Sequence, residues 1–337
     1  MQSMTKNSSR GIYAALGSAF FLGMAPVFGR QAILLGIPSL AVVAIRTSLA
    51  ALLLLGVMLV FFRRYLYIYP AGLLGCLLAG WINGVGSLFY YFALGRISAS
   101  MGQLLYSLYP LFLALWLSLD KQPPSRLTIL RLALVLPAVY LLVTSGRGAD
   151  SSHVDLIGVG AMLIAAMLYA LHLPFNQRVL YDMPPQTVTL YTLLAMSAVV
   201  IPPFLFSDGS RLFGITLQTG GLEGNLVRLG APLLGLTLVT FFSRLLLFSG
   251  IKHLGGMQTA LLGLGELLVT LLFAYLWLGE SFSLGQWSGV GLLMTSLVLV
   301  GMETPPARKS SPGGFLGWLR PSSRKVSPLT DTWHPNE

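Results

Sequence analysis

Apolar residues run along this chain in stretches of about twenty, broken by short polar or Pro/Gly punctuation. A helix rises about 1.5 Å per residue and needs about 20 apolar residues to cross a hydrocarbon core, so each stretch predicts a membrane-spanning helix. Ten spans are predicted: Gly11–Ile33, Leu40–Phe62, Pro70–Leu94, Ser98–Leu119 and Thr128–Ser145, then Leu156–Asn176, Thr187–Phe206, Ala231–Gly250, Gly256–Leu278 and Leu284–Met302. They are numbered 1 to 10 below. The apolar stretch after Arg10 is too long for a signal peptide and no small-residue cleavage site follows it, so it is read as span 1.

The spans carry an internal repeat. Ala25-Pro26-Val27-Phe28 of span 1, followed by Arg30, matches Leu173-Pro174-Phe175-Asn176 of span 6, followed by Arg178, at an offset of 148. Pro38 and Pro184, ahead of spans 2 and 7, match at 146. Spans 3 and 4 align with 8 and 9 near an offset of 157, where Leu104-Leu105 faces Leu261-Leu262 and Tyr109 faces Glu266. The expected organisation is an all-α polytopic membrane protein of ten helices in two five-helix repeats. Residues 1–10 form a cytoplasmic N-terminus, 11–145 the first repeat, 146–155 a linker, 156–302 the second repeat and 303–337 a basic cytoplasmic tail. Five is odd, so the second copy enters the membrane from the opposite side. Such an inverted pair opens to either side at similar energy, which is the geometry of secondary transporters.

Composition agrees with this reading. The chain is 55% hydrophobic and 9% charged, against about 25% charged in an average soluble domain, so it has too little polar surface for a soluble fold. The mean hydropathy is +0.77. The net charge of +10 would suggest nucleic acid in a soluble protein, but in a membrane chain the position of each charge matters more. With both termini cytoplasmic, fourteen Lys and Arg fall on the inner side and four on the outer, namely Arg96, Arg147, Arg211 and Arg228. Cytoplasmic termini in a plasma membrane are therefore expected, with no nucleic-acid partner. The tail from Glu303 is rich in Pro, Ser and Gly and is read as solvated and disordered. Phe315, Leu316, Trp318 and Leu319 beside its basic residues make lipid contact a second reading. The single cysteine, Cys76, excludes an intramolecular disulfide and a cysteine metal cage, and is read as a small apolar helix residue.

Several short motifs together resemble those of EamA-type members of the drug/metabolite transporter superfamily. They are Arg46 early in span 2, Phe89-Tyr90-Tyr91-Phe92-Ala93-Leu94, Ile97-Ser98-Ala99-Ser100, Leu108-Tyr109-Pro110, Ile251-Lys252-His253-Leu254-Gly255 and Leu278-Gly279-Glu280. The resemblance covers residues 11–302 and implies ten helices with export or exchange of amino acids, metabolites or drug-like amines. Two positions depart from the family. Leu267 follows Glu266 where the family usually has proline, which removes the expected source of a kink, and span 4 ends on Leu119-Asp120 in place of Gly-Glu.

An ionised side chain is costly in hydrocarbon, so charges inside spans are the first functional candidates. Glu266 is the carboxylate deep in a span, about ten residues and roughly 15 Å from either end of span 9, beyond the reach of snorkelling. Thr259, Gly263, Glu266 and Thr270 recur at helical spacing and give span 9 a polar or small stripe; the repeat carries it onto Gly102, Tyr106 and Tyr109 of span 4. Both stripes are expected to face one cavity, with Glu266 binding a cation, an amine or a coupling proton, or else serving as an interhelical hydrogen-bonder. Arg244 lies near the cytoplasmic end of span 8, close enough for a salt bridge to Glu266 or for snorkelling. Arg46 is assigned to the cavity or a structural pair, and Arg30 to anchoring at the outer headgroups. Tyr169, His172 and Asn176 share a face of span 6 beside Pro174, where His172 is read first as a hydrogen-bonder; Asn83, Ser87 and Tyr90 share one of span 3. Trp81 is read as facing lipid. Gly80 to Gly84 and Gly285 to Gly289 are spaced for close helix packing. Ser283 is a sensible cap for span 10, with Glu280 a loop residue.

Neither a nucleotide-binding Gly-x-x-x-x-Gly-Lys loop nor a Gly-x-Ser-x-Gly elbow is present, and His153, His172, His253 and His334 are scattered without metal-ligand spacing. No catalytic residue, metal or cofactor is expected. The leading reading is a secondary transporter of a small metabolite, amino acid or amine, with a proton as candidate coupling ion. The candidate binding or coupling residues are Glu266, Tyr109, Tyr106, Arg46, Arg244, Asn83, His172 and Thr259. A lipid-carrier flippase is the nearest alternative, followed by a membrane receptor or a lipid enzyme. Monomer and homodimer are equally compatible with the sequence.

Overall fold

The computed structural model describes residues 2–119, 155–207, 222–279 and 284–298, with isolated positions between 126 and 141. The described residues contain helices and turns and no strand. In order these are α1 (Gln2–Leu34), α2 (Ser39–Phe61), a 3₁₀ turn (Arg63–Leu66), α3 (Pro70–Leu94), α4 (Ala99–Tyr106), α5 (Tyr109–Leu119), α6 (Leu156–Leu180), α7 (Pro185–Ser207), α8 (Leu222–Leu254), α9 (Gly256–Gly263), α10 (Gly265–Leu278) and α11 (Leu284–Val298). Eight segments are long and apolar enough to cross a membrane; α4 with α5 makes one of them, and α9 with α10 another.

The expected count of ten is therefore not reached among the described residues. Span 5 lies outside them apart from isolated positions, and α11 covers 15 residues of span 10. The tail, the linker before Asp155, and Glu280 to Ser283 also lie outside them. The chain ahead of Arg10 is helical from Gln2, as the first turns of α1.

Sequence chemistry sets the helix ends. Pro38 and Pro70, which have no backbone N–H to leave unpaired, stand at the starts of α2 and α3. The Ser98 hydroxyl accepts from the Met101 amide ahead of α4, and Asp155 accepts from the Ile157 and Gly158 amides at α6. Asp155 also accepts from Arg96 at 2.9 Å, tying the α3–α4 turn to the start of α6. This bond to Arg96 and those from the Gly158 and Ile157 amides hold the exposed carboxyl below the usual carboxylate range. Gly255, at φ +86°, lets α8 end and α9 begin within two residues. The Arg30 guanidinium donates to the Leu94 carbonyl at 2.8 Å and closes the end of α3.

Helix packing follows the repeat. The pairing of α1 with α8 is matched by α3 with α6, and that of α2 with α8 by α3 with α7. Likewise α1 packs on α9 and α10 as α6 packs on α4 and α5, while α2 and α7, which are equivalent to each other, are in contact. Close approach of α3 to α7 uses Gly80 and Gly84, where an added Cβ would meet Ala195 and Val199. Trp81, 60% exposed, points outward from the bundle as expected.

Two of the apolar clusters in the interior lie at different depths. One joins Ile37, Ala41, Tyr91, Leu94, Ala99 and Leu236 near one set of helix ends. The other joins Leu117, Tyr169, Leu173, Leu180, Phe248 and Ile251 toward the opposite ends. Between them spans 4 and 9 both break. Span 4 breaks at Ser107 and Leu108, just ahead of Pro110, which has no amide to donate. Span 9 breaks at Leu264 with no proline, so the Leu267 substitution does not straighten it; 3₁₀-type bonds from Leu264 to Leu261 and from Leu267 to Leu264 replace the α-helical ladder there.

Candidate functional site

A cavity opens beside the two breaks, lined by Leu22, Ala25, Arg46, Asn83, Gly86, Ser87, Tyr90, Tyr91, Gln103, Tyr106, Ala165, Tyr169, Arg244 and Glu266. Its cavity volume is about 40 Å³. Tyr91 belongs to one apolar cluster and Tyr169 to the other, which places the cavity between them.

Glu266 enters this space from the first turn of α10. Its backbone is clamped from behind. The Thr270 hydroxyl donates to the Gly23 carbonyl at 2.7 Å and to the Glu266 carbonyl at 2.9 Å, and a Cβ on Gly23 would overlap that same Glu266 carbonyl. Gln103 lines the same space, and its side-chain oxygen accepts from the Tyr90 hydroxyl at 3.4 Å. The second carboxyl oxygen, Oε1, is buried with no partner.

Two guanidinium groups share the cavity. Arg46 donates to the Thr240 hydroxyl at 3.1 Å and lies over the Tyr91 ring at 4.7 Å, leaving Nε without a partner. Arg244 lies over the Tyr169 ring at 5.7 Å, with Nε and Nη1 both unpartnered. A ring face attracts a cation and partly replaces lost hydration. Arg244 and Glu266 do not form the salt bridge that is one of the two readings of Arg244: neither guanidinium comes within 4.0 Å of the carboxylate. Desolvating an ion costs several kcal/mol even after relaxation, so unpartnered guanidinium nitrogens and a carboxyl oxygen around one space are costly for the fold.

Of the residues singled out in the sequence, Glu266, Tyr106, Arg46, Arg244 and Asn83 line this cavity and three do not. Tyr109 is buried, its ring against Tyr106 and Tyr169, and its hydroxyl donates to the Ala260 carbonyl at 2.8 Å. His172 sits behind Tyr169, with Nδ1 on the Tyr169 carbonyl within its own helix; Nε2 has no partner. Thr259 turns its hydroxyl back onto the Gly255 carbonyl at 2.8 Å, which satisfies it inside α9. Gln103 and Tyr169 complete the wall. Gln103 escaped the sequence reading, although a lone amide in an apolar span was a signal of the same kind as Glu266.

Similarity to known proteins bears on what passes through such a cavity. The model of the EamA-like transporter family matches residues 9–144 and again residues 156–302. The chain is 23% identical over 213 residues to the uncharacterized transporter YcbK of Bacillus subtilis (strain 168), and 22% identical over 217 residues to the uncharacterized inner membrane transporter YicL of Salmonella typhimurium. These matches cover 63% and 62% of this chain and 66% of each relative, so the chain spans just under two thirds of the curated relatives it matches. A solved crystal structure superposes with a TM-score of 0.64 over 87% of this chain and 97% of its own, at 14% identity, and shares the fold.

Proposed function

We propose a transport mechanism from one premise: this chain belongs to the EamA-like transporter family, and it is a multi-pass membrane protein of the transporter type. The finer reading is a secondary transporter in the plasma membrane with cytoplasmic termini. It exports or exchanges a small metabolite, amino acid or amine by alternating access of two inverted five-helix repeats.

The observation that carries this reading is that two guanidinium groups and a carboxyl group line one cavity without bridging one another. Arg46 and Arg244 would take a carboxylate or phosphate, and Glu266 an ammonium group, so a small zwitterion satisfies both ends at once. Had the arginines and Glu266 paired with one another, a neutral solute would suit the cavity better. Tyr90, Tyr106 and Tyr169 supply an apolar wall with polar tips between the two ends. The two apolar clusters on either side of the cavity serve as the gates, and each opens as the repeats rock about the helix breaks. Glu266 is also the group on which a coupling proton would ride.

The test is a thermal-shift screen of purified protein and its Glu266→Gln variant across amino acids, amines, phosphorylated metabolites and pH, followed by proteoliposome flux of any stabilising compound. Stabilisation of the parent protein but not the variant is the expected result. Equal stabilisation of both would remove Glu266 from the site, and no stabilisation by any compound would favour a lipidic substrate.

A further inference from the structure

The break in span 9 has no proline to cause it, and its chemistry lies on span 4. In an uninterrupted helix the Ala260 carbonyl would accept from the Leu264 amide. Here it accepts from the Tyr109 hydroxyl at 2.8 Å, and the Leu264 amide turns to Leu261 at 3.3 Å. Gly263 makes room for this, because a Cβ at that position would overlap the Tyr109 hydroxyl oxygen. Three residues beyond Gly263, Glu266 starts its side chain into the cavity. The 3₁₀ geometry of the break turns the chain by about 20° more per residue than an α-helix does, so the break sets where the carboxyl aims.

We propose that Tyr109 is a positioning residue for Glu266: by taking the Ala260 carbonyl it holds span 9 broken at Leu264 and turns the Glu266 carboxyl into the cavity. The proposal rests on the reading of Glu266 as part of the transport site. Tyr109 touches no substrate in this scheme and acts through the backbone of α9. Without its hydroxyl, the Leu264 amide returns to Ala260, span 9 rewinds, and the Glu266 carboxyl turns from its aim into the cavity. Rewinding satisfies the freed carbonyl, so the fold loses little stability.

The test uses full-length protein in detergent and the lipophilic carbodiimide DCCD, which modifies membrane-buried carboxyl groups, with the labelling rate at Glu266 read by peptide mass spectrometry. Tyr109→Phe keeps the ring contacts and removes the hydroxyl. It is expected to slow labelling at Glu266 by at least about threefold, the scale of one modest hydrogen bond, while the Tm moves by less than about 3 °C. Gly263→Ala, which displaces the Tyr109 hydroxyl, is expected to slow labelling in the same direction. The double variant should label at the rate of Tyr109→Phe alone, since the phenylalanine leaves the Cβ its space.

A Tyr109→Phe protein that labels at the parental rate would overturn the proposal, as would single effects that multiply in the double variant. If Tyr109→Phe unfolds the protein, Gly263→Ala in the folded parent still decides: unchanged labelling at Glu266 overturns the proposal. None of these outcomes depends on a substrate, so they are separable from a failure of Glu266→Gln to alter ligand binding.

Discussion

Tyr109 and Glu266 stand at equivalent places in the two repeats, 157 residues apart, and meet opposite surroundings. The Tyr109 hydroxyl donates to the Ala260 carbonyl at 2.8 Å and lies outside the cavity, whereas Glu266 lines the cavity with Oε1 unpartnered. The tyrosine copy is spent on backbone, and the glutamate copy keeps one oxygen free for the cavity.

Arg244 stands in the cavity without a bridge to Glu266, so its loss should leave the fold intact. Arg244→Gln is expected to hold or raise the Tm, since two unpartnered guanidinium nitrogens leave the interior. Substrate-induced stabilisation should fall at the same time. Were the pair bridged, removing one partner would destabilise by about 3–5 kcal/mol. Thermal melts with and without a stabilising amino acid distinguish the two.

Arg46 is held by the Tyr91 ring and the Thr240 hydroxyl. A lysine keeps the charge but loses the planar group that stacks and donates in fixed directions. Arg46→Lys is expected to raise the KM for flux by about tenfold, the scale of one charge-assisted hydrogen bond, with a smaller change in kcat. Initial rates in proteoliposomes at several substrate concentrations give the split.

Two helical glycines should respond in opposite ways to alanine. Gly23→Ala drives a methyl group into the Glu266 carbonyl and Val269, at an expected cost of about 1–3 kcal/mol and with loss of flux. Gly160 has open space around its Cβ position, so Gly160→Ala should be neutral or stabilise by up to about 1 kcal/mol through helix propensity. Denaturation midpoints of the two variants measure the contrast.

The Asp155 carboxyl titrates below its ordinary value because Arg96 and two α6 amides hold its charged form. Its contribution to stability is therefore complete above the ordinary aspartate range, near pH 4, and is lost as the pH falls through the lowered value. Asp155→Ala should lower the Tm at neutral pH, with the gap to the parent closing in strong acid. Asp155→Asn, which keeps a capping oxygen, should lower it less. Melts between pH 3 and about pH 7 check the sign.

The sequence by itself determined the eight apolar segments described, the presence of two repeats, and the standing of Glu266 as a buried carboxyl group. Each of these follows from a local rule. About twenty apolar residues must span a membrane, a duplicated unit shows itself by offset, and a carboxylate in hydrocarbon is costly wherever the helix points. Periodicity also grouped Asn83, Ser87 and Tyr90 on one helix face that does line the cavity.

Only the tertiary structure decided which polar groups meet. The stripe Thr259, Gly263, Glu266 and Thr270 presumes a continuous helix, and the break at Leu264 delivers Glu266 alone to the cavity. That break depends on a hydroxyl 151 residues away in sequence, a pairing that no local rule encodes. Likewise Arg30 was drawn to the Leu94 carbonyl and Arg46 to Thr240, partners at separations of 64 and 194 residues. A side chain's face is set by its own helix, but its hydrogen-bond partner is set by whichever helix packs against that face.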